Sequence, residues 1–285
     1  MKNFLSFLSR ASNRRFTFPL EGRFSLAFKA FSNIERNIFF VAASVLVVTT
    51  LVFLFQVNRL FMVAIPSKGG ELTEGILSTP AHINPLLATS EIGTEADRDL
   101  TQLIYSGLLR IDKDGNFIPD LAESYTVSDD GLAYTFILKP NLYWHDGEKI
   151  TADDIVFTIK TPQDSRIKSP KRVNWDGVNV EKTDDRTIVF TLKKPYGAFL
   201  ENATLGILPK HIWEIVDFNR FDSSNYNHEP IGSGPYKIDS IETTSKDGDE
   251  IPVSYTLKAF NKFALGEPYI TTLTTVFYRT EDELE

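Results

Sequence analysis

Residues 130–160 read DGLAYTFILKPNLYWHDGEKITADDIVFTIK, and the order of signals within them decides the fold class. Asp130-Gly131 turns the chain, and a β-rich run follows at 133–139. A second turn pair, Asp146-Gly147, precedes Thr151-Ala152-Asp153-Asp154, which has the form of a helix start with acids in its first turn. Ile155, Val156 and Ile159 then give that helix an apolar face.

The same grammar extends outward. Thr94-Glu95-Ala96-Asp97 predicts another helix start with Thr94 as N-cap, followed by a stripe of Leu100, Leu103, Ile104 and Leu108. Further β-rich runs lie at 124–128, 178–182, 187–193, 236–241, 253–260 and 271–278, with Asp114-Gly115 and Asp247-Gly248 as additional turns. Many strands and few helices in irregular order predict an α+β or mixed α/β body with a largely antiparallel sheet. No repeat of fixed period and no low-complexity tract interrupts it.

Towards the amino terminus, residues 38–55 read IFFVAASVLVVTTLVFLF, eighteen residues without a charge. At about 1.5 Å per residue they span about 27 Å, enough for the hydrocarbon core of a bilayer. Thirteen of the eighteen are Leu, Ile, Val or Phe, which favours insertion. A buried helix of a soluble protein is the competing reading. The 37 preceding residues are too many for the basic region of a cleaved signal peptide, and Met62-Val63-Ala64 lacks the small residue required three before a cut. The expectation is an uncleaved signal anchor with its basic flank in the cytoplasm. Phe24, Phe28 and Phe31, near Arg23 and Lys29, suit a short amphipathic helix on the inner leaflet, against the plainer reading of a solvated tail. Pro66, Gly69 and Gly70 mark a linker.

Composition narrows the function classes. The chain has 285 residues, 42% apolar and 24% charged, an ordinary globular mix in at most two compact domains. It has no cysteine, which removes disulfides, thiol nucleophiles, thiolate metal sites and a lipidated cysteine. Residues 1–37 hold seven Lys or Arg against Glu21 and Glu35, so the net charge of −8 conceals a basic tail and an acidic body. An acidic body argues against nucleic-acid binding, and a basic tail suits an anionic membrane surface.

Chemistry-bearing motifs are sparse. His82, His145, His211 and His228 form no metal-spaced pair. Gly232-Ser233-Gly234 is not G-x-S-x-G, and Pro235 stands where a helix would begin, so a turn entering a strand is expected. Asp112-Lys113-Asp114-Gly115-Asn116 with Glu123 matches part of a calcium loop, but Phe117 replaces the glycine of the sharp bend. A β-turn between 108–111 and 117–118 explains the same residues. Asp153-Asp154 and Asp184-Asp185 read as a helix first turn and a hairpin turn. Trp144, Trp175 and Trp213 suit either core or a ligand cleft.

Taken together, several runs resemble a known family. They include Ile83-Asn84-Pro85-Leu86-Leu87, Ile104-Tyr105-Ser106-Gly107-Leu108-Leu109 and Ile118-Pro119-Asp120-Leu121-Ala122-Glu123-Ser124. Trp144-His145-Asp146-Gly147, Ile207-Leu208-Pro209-Lys210-His211 and Pro230-Ile231-Gly232-Ser233-Gly234-Pro235-Tyr236 follow in order. The series, over about residues 70–278, resembles the family 5 extracellular solute-binding proteins, receptors of ABC importers for peptides and nickel. The resemblance implies a periplasmic-binding-protein-like (type II) first lobe, preceded here by one transmembrane helix. It also implies a two-lobed clamp that docks on ABC permease subunits.

The resulting expectation divides the chain into a basic cytoplasmic tail (1–37), a transmembrane signal anchor (38–63), a linker (64–75) and a first lobe (76–285). Residues 279–285 would open the crossover helix into a second lobe, so the chain is expected to be a fragment. Its expected role is a plasma-membrane-anchored, single-pass, extracytoplasmic component that binds a peptide or other small solute. No enzyme activity, catalytic residue, cofactor, metal or nucleic-acid partner is expected. The resemblance places solute against Thr89, Ser90, Glu91 and Ile92, where a plain surface loop is the alternative. Asn84, Pro85, Gly232 and Gly234 are expected to fix turns. A sensor or docking module built on the same lobe, without transport, is the alternative function.

Overall fold

The computed structural model describes residues 32–62, 67–88, 93–246 and 249–284. It divides into two units, 1–65 and 66–285.

In the first unit α1 (Asn33–Phe61) is one helix with a mean hydropathy of 2.8 over its most apolar stretch, long and apolar enough to cross a membrane. Ser32 and Glu35 form a capping box: Ser32 N–H donates to Glu35 Oε2 (2.7 Å) and Glu35 N–H to Ser32 Oγ (3.4 Å). The helix therefore starts ahead of residue 38, inside the stretch expected as tail, because its cap rather than its apolar content sets the boundary. Thr49 and Thr50 donate to the carbonyls of Val45 and Leu46, both at 2.8 Å, so neither hydroxyl is left open to an apolar solvent. Phe24, Phe28 and Phe31 lie outside the described residues.

The second unit begins with β1 (Glu71–Leu77), α2 (Glu95–Ile104) and the ribbon β2 (Leu109–Ile111) and β3 (Phe117–Pro119). Next come β4 (Ala122–Val127), β5 (Ala133–Leu138), α3 (Ala152–Lys160), α4 (Arg172–Trp175), β6 (Asn179–Lys182) and β7 (Thr187–Thr191). The short helices α5 (Phe199–Asn202) and α6 (Lys210–Trp213) lead to β8 (Tyr236–Lys246), β9 (Asp249–Ala259), β10 (Thr272–Tyr278) and α7 (Glu281–Leu284). One sheet runs β1-β10-β9-β8 and the other β4-β5-β7-β6. Among the described pairings only β1 with β10 is parallel, so the sheets are mixed and largely antiparallel, as the turn-rich sequence predicts.

β1 corrects the expected linker at 64–75. Glu71 already pairs with Thr272, and the register continues to Leu77 and Tyr278. Its first five side chains are exposed, so no apolar alternation marks it; the backbone ladder to β10 makes it a strand. Leu108 is a second correction. α2 ends at Ile104, and Leu108 buries in a different core from Leu100 and Ile104.

That partition reflects two hydrophobic cores. Under β4-β5-β7-β6, alternation sends Phe136 and Leu138 of β5 and Ile188 and Phe190 of β7 inward, against Trp144, Trp175 and Phe199. Under the other sheet, Leu257 and Leu273 meet Ile83, Leu86, Leu100 and Trp213. All three tryptophans are core. Both long helices of this unit start at a Thr whose box partner reaches further than the helix. Asp97 accepts from Thr94 N–H (2.7 Å) and, through its other oxygen, from Ala81 (2.7 Å) and His82 (2.6 Å). Asp154 accepts from Thr151 N–H (2.8 Å) and from Lys210 N–H at the start of α6 (2.9 Å), and burial raises its pKa. Asn84 fixes its own turn by accepting from Leu86 N–H and donates to Asn227 Oδ1, both at 2.9 Å.

The W-H-D-G and I-G-S-G-P runs meet at the C-terminal end of α2. Gly232 N–H donates to His145 Nδ1 (3.3 Å), which leaves the proton on Nε2 to be donated to Gly234 O (3.1 Å). Gly234 N–H in turn caps Ile104 O (2.8 Å). A Cβ on Gly232 would collide with that same Ile104 carbonyl, so the approach requires glycine. Burial, with Lys237 adding to it, pulls the His145 pKa from 6.5 to about 4 against Gly234 O and Asp146.

Candidate functional site

α2 has two faces. Ala96, Leu100 and Ile104 enter the core, while Arg98, Thr101, Gln102 and Tyr105 recur at helical spacing on another side. That second row lines a cavity of about 550 Å³. The rest of its wall comes from segments far apart in sequence: Asp120 after β3, Lys171 and Trp175 at α4, and Glu201 and Asn202 in α5. Asn174 and Asn202 brace the last two, Asn174 Nδ2 donating to Asn202 Oδ1 (2.9 Å) and Asn202 Nδ2 to Asn174 O (3.1 Å).

Backbone bonds fix the position of Asp120. Its N–H donates to Leu108 O (3.0 Å), and the next residue, Leu121, donates to Gly107 O (3.1 Å). Gly107 permits this packing, since a Cβ there would come within 2.6 Å of Thr204 O. The Y-S-G-L-L and P-D-L-A runs thus form one wall of the cavity.

Five buried side-chain polar atoms among the described residues have no hydrogen-bond partner: Thr101 Oγ1, Tyr105 Oη, Asp120 Oδ1, Trp144 Nε1 and Ser233 Oγ. The first three belong to residues that line the cavity. Desolvation pushes the Asp120 carboxyl up to about 6, with the Ser106 hydroxyl, Arg110 and Lys139 pulling the other way. The Tyr105 phenol is raised by the same cause, and burial lowers the Lys171 ammonium against the attraction of Glu201. The cavity wall carries Arg98, Arg110 and Lys171 with Asp120 and Glu201, charged groups of both signs, which suits binding of a polar solute.

Thr89, Ser90, Glu91 and Ile92 lie outside the described residues, although Pro85 and Ala88, just before them, line the cavity. The cavity residues themselves carry a signal that sequence reading passed over, the polar row Arg98, Thr101, Gln102 and Tyr105 beside the apolar one. Asp112 Oδ1 accepts from its own turn, Asp114 N–H (2.8 Å) and Asn116 N–H (2.9 Å), and Glu123 pairs with Arg186 (2.8 Å), so this segment is a hairpin turn. Ser233 Oγ is buried without a base in contact. Among the described residues no group of three His, Asp or Glu side chains could hold a metal ion.

Comparison with known proteins agrees with this fold. Residues 116–284 match the model of bacterial extracellular solute-binding proteins, family 5 Middle. The oligopeptide-binding protein AppA of Bacillus subtilis is 35% identical over 213 residues, which is 73% of this chain and 37% of AppA. The structure of AppA in complex with a nonapeptide superposes with a TM-score of 0.68 at 32% identity, covering 77% of this chain and 42% of that one. NikZ from Campylobacter jejuni, in complex with Ni(L-His), gives a TM-score of 0.62 at 32% identity, covering 73% and 39%. The chain thus spans about two fifths of the length of these relatives. It belongs to family 5 of the bacterial extracellular solute-binding proteins.

Proposed function

We propose that this chain is the membrane-anchored, extracytoplasmic solute-binding component of an ABC importer, which binds peptides and delivers them to a permease. The observation that carries the reading is the 35% identity to an oligopeptide-binding protein over 213 residues; the polar cavity supports it. In this reading the second unit is the first lobe of a clamp whose closed state is favoured only by a solute that touches both lobes. Thr89, Ser90, Glu91 and Ile92 are the residues that would meet an extended peptide through strand-like backbone bonds. The basic residues before α1 remain in the cytoplasm, α1 spans the plasma membrane, and the body lies outside, held near its permease by effective concentration.

Thermal unfolding of the protein with both lobes of the clamp present, against a peptide library, tests the ligand class. A cognate peptide at about 100 times its Kd stabilises the fold by about 2.7 kcal/mol and raises the unfolding midpoint. No rise with any peptide would sink the peptide reading. Because the chain has no cysteine, a single Lys113→Cys variant tests orientation. A membrane-impermeant maleimide labels it on intact cells if the body is outside, and protection until lysis contradicts that orientation.

A further inference from the structure

We propose that the end of the β1-β10-β9-β8 sheet at which the chain enters the body is a membrane-docking foot, where Leu72, Leu265, Tyr269 and Ile270 seat in the headgroup region of the bilayer. This rests on the membrane-anchored reading above and adds a second, non-covalent contact between body and lipid. β1 and β10 are parallel, so both strands start at the same end of the sheet. The segment ahead of β1 and the loop ahead of β10 are joined there. Lys68 Nζ meets Glu267 Oε2 (2.6 Å), Gly69 N–H donates to Tyr269 O (2.8 Å), and Thr271 N–H donates to Gly70 O (3.2 Å). Tyr236 Oη, at the start of β8, ties down the same loop by donating to Ile270 O (3.0 Å).

Held by these bonds, the loop still turns apolar groups to solvent. Tyr269 is 54% exposed, Leu265 40% and Ile270 36%, with Leu72 at 45% on the adjoining strand. Other exposed large apolar side chains of the body, such as Val127, Val173 and Ile215, stand on separate segments. A tyrosine and aliphatic side chains beside lysines have the composition of a membrane-interface anchor.

Charge and reach select lipid as the occupant. The body is acidic, which sets it against an anionic surface, but this end is balanced. Lys68 pairs with Glu267 and Lys258 with Asp239 (2.8 Å), while Lys237 and Lys262 outnumber Glu71. Gly69 follows Phe61, the last residue of α1, by eight positions, which reach about 29 Å at full extension. A body of this chain length is about 40 Å across. The entry end therefore reaches the surface that α1 leaves, and the far end of the body does not. So short a tether keeps the foot at high effective concentration over the lipid, and a small apolar contact suffices.

The absence of cysteine allows one fluorophore to be placed at a time. The full 285-residue chain is reconstituted in phosphatidylcholine vesicles with a bimane at Asn261→Cys, beside the foot, or at Lys113→Cys, in the turn between β2 and β3. An interfacial patch sits about 5–10 Å into the headgroup boundary, so acyl-brominated phosphatidylcholine should quench position 261 at least about twofold more than position 113. Adding Leu265→Ser and Tyr269→Ser should abolish that difference. These exposed changes should leave the unfolding midpoint within about 2 °C of the parent's, which separates lost docking from lost folding. Equal quenching at the two positions, or a difference that survives the double variant, overturns the docking. If position 261 is unquenched in a chain that sodium carbonate does not strip from the vesicles, docking alone fails and the anchor stands. If carbonate strips the chain, anchor and docking fall together.

Discussion

At the junction around His145, both ring nitrogens are bonded, the neighbouring glycine amides are paired, and the end of α2 is capped. In the cavity a few residues away along the same helix, Thr101, Tyr105 and Asp120 are buried with polar atoms unpaired. The first arrangement stabilises the chain, and the second costs stability. Trp144 Nε1 and Ser233 Oγ at the junction are also without partners, so the contrast lies between the imidazole and backbone amides that close the junction and the carboxylate and hydroxyls that stay unpaired beside the cavity.

The sharpest break of this contrast is Gly232→Ala. Its Cβ meets the Ile104 carbonyl, a backbone atom that cannot swing aside, and the cost should reach about 3 kcal/mol or more in urea unfolding. Tolerance of alanine there would show that the junction is loosely packed.

The pH dependence comes next. His145 has its pKa depressed from 6.5 to about 4, so its contribution is complete above the higher value and lost as pH falls through that window. About 2–3 kcal/mol should disappear, and a His145→Gln variant should not show that slope. Asp120 runs in the opposite sense. With its pKa raised from 3.8 to about 6, the charge becomes a burden as pH rises through that range. Asp120→Asn should therefore gain about 2 kcal/mol at neutral pH, measured by thermal unfolding, and nothing below pH about 4. A loss at neutral pH would mean that the carboxylate is already paired.

Tyr105→Phe should have the smallest effect, within about 0.5 kcal/mol of the parent, because the hydroxyl it removes has no partner. A loss of more than about 1 kcal/mol would point to a bond inside the fold and weaken the contrast.

Much of the architecture was legible because it depends on local rules. Thr94 and Thr151 sit at helix starts, and the β-rich runs between Asp130 and Tyr278 are strands within a residue or two at most ends. Where strand ends differ most, at β8 and β9, the extra length is largely polar and held by hairpin pairing. β1 was hidden for the same reason, since an edge strand with exposed Glu71, Thr73 and Glu74 has no apolar alternation. Of the four Asp-Gly pairs, Gly115, Gly131 and Gly147 adopt positive φ, and Asp247-Gly248 lies outside the described residues. The cavity was not legible, because its wall joins α2 to Asp120, Lys171 and Glu201 and only contact brings them together.

Periodicity, caps and turns are properties of neighbouring residues, so the order of amino acids alone determined a charge-free membrane-length helix, an α+β body and the family motifs. Which buried polar atoms find partners depends on residues a hundred positions away, as Asn84 does with Asn227 and Tyr105 does not with any. Tertiary packing alone decided that, since hydrogen bonds form over about 3 Å and the distance between side chains is set by the whole fold.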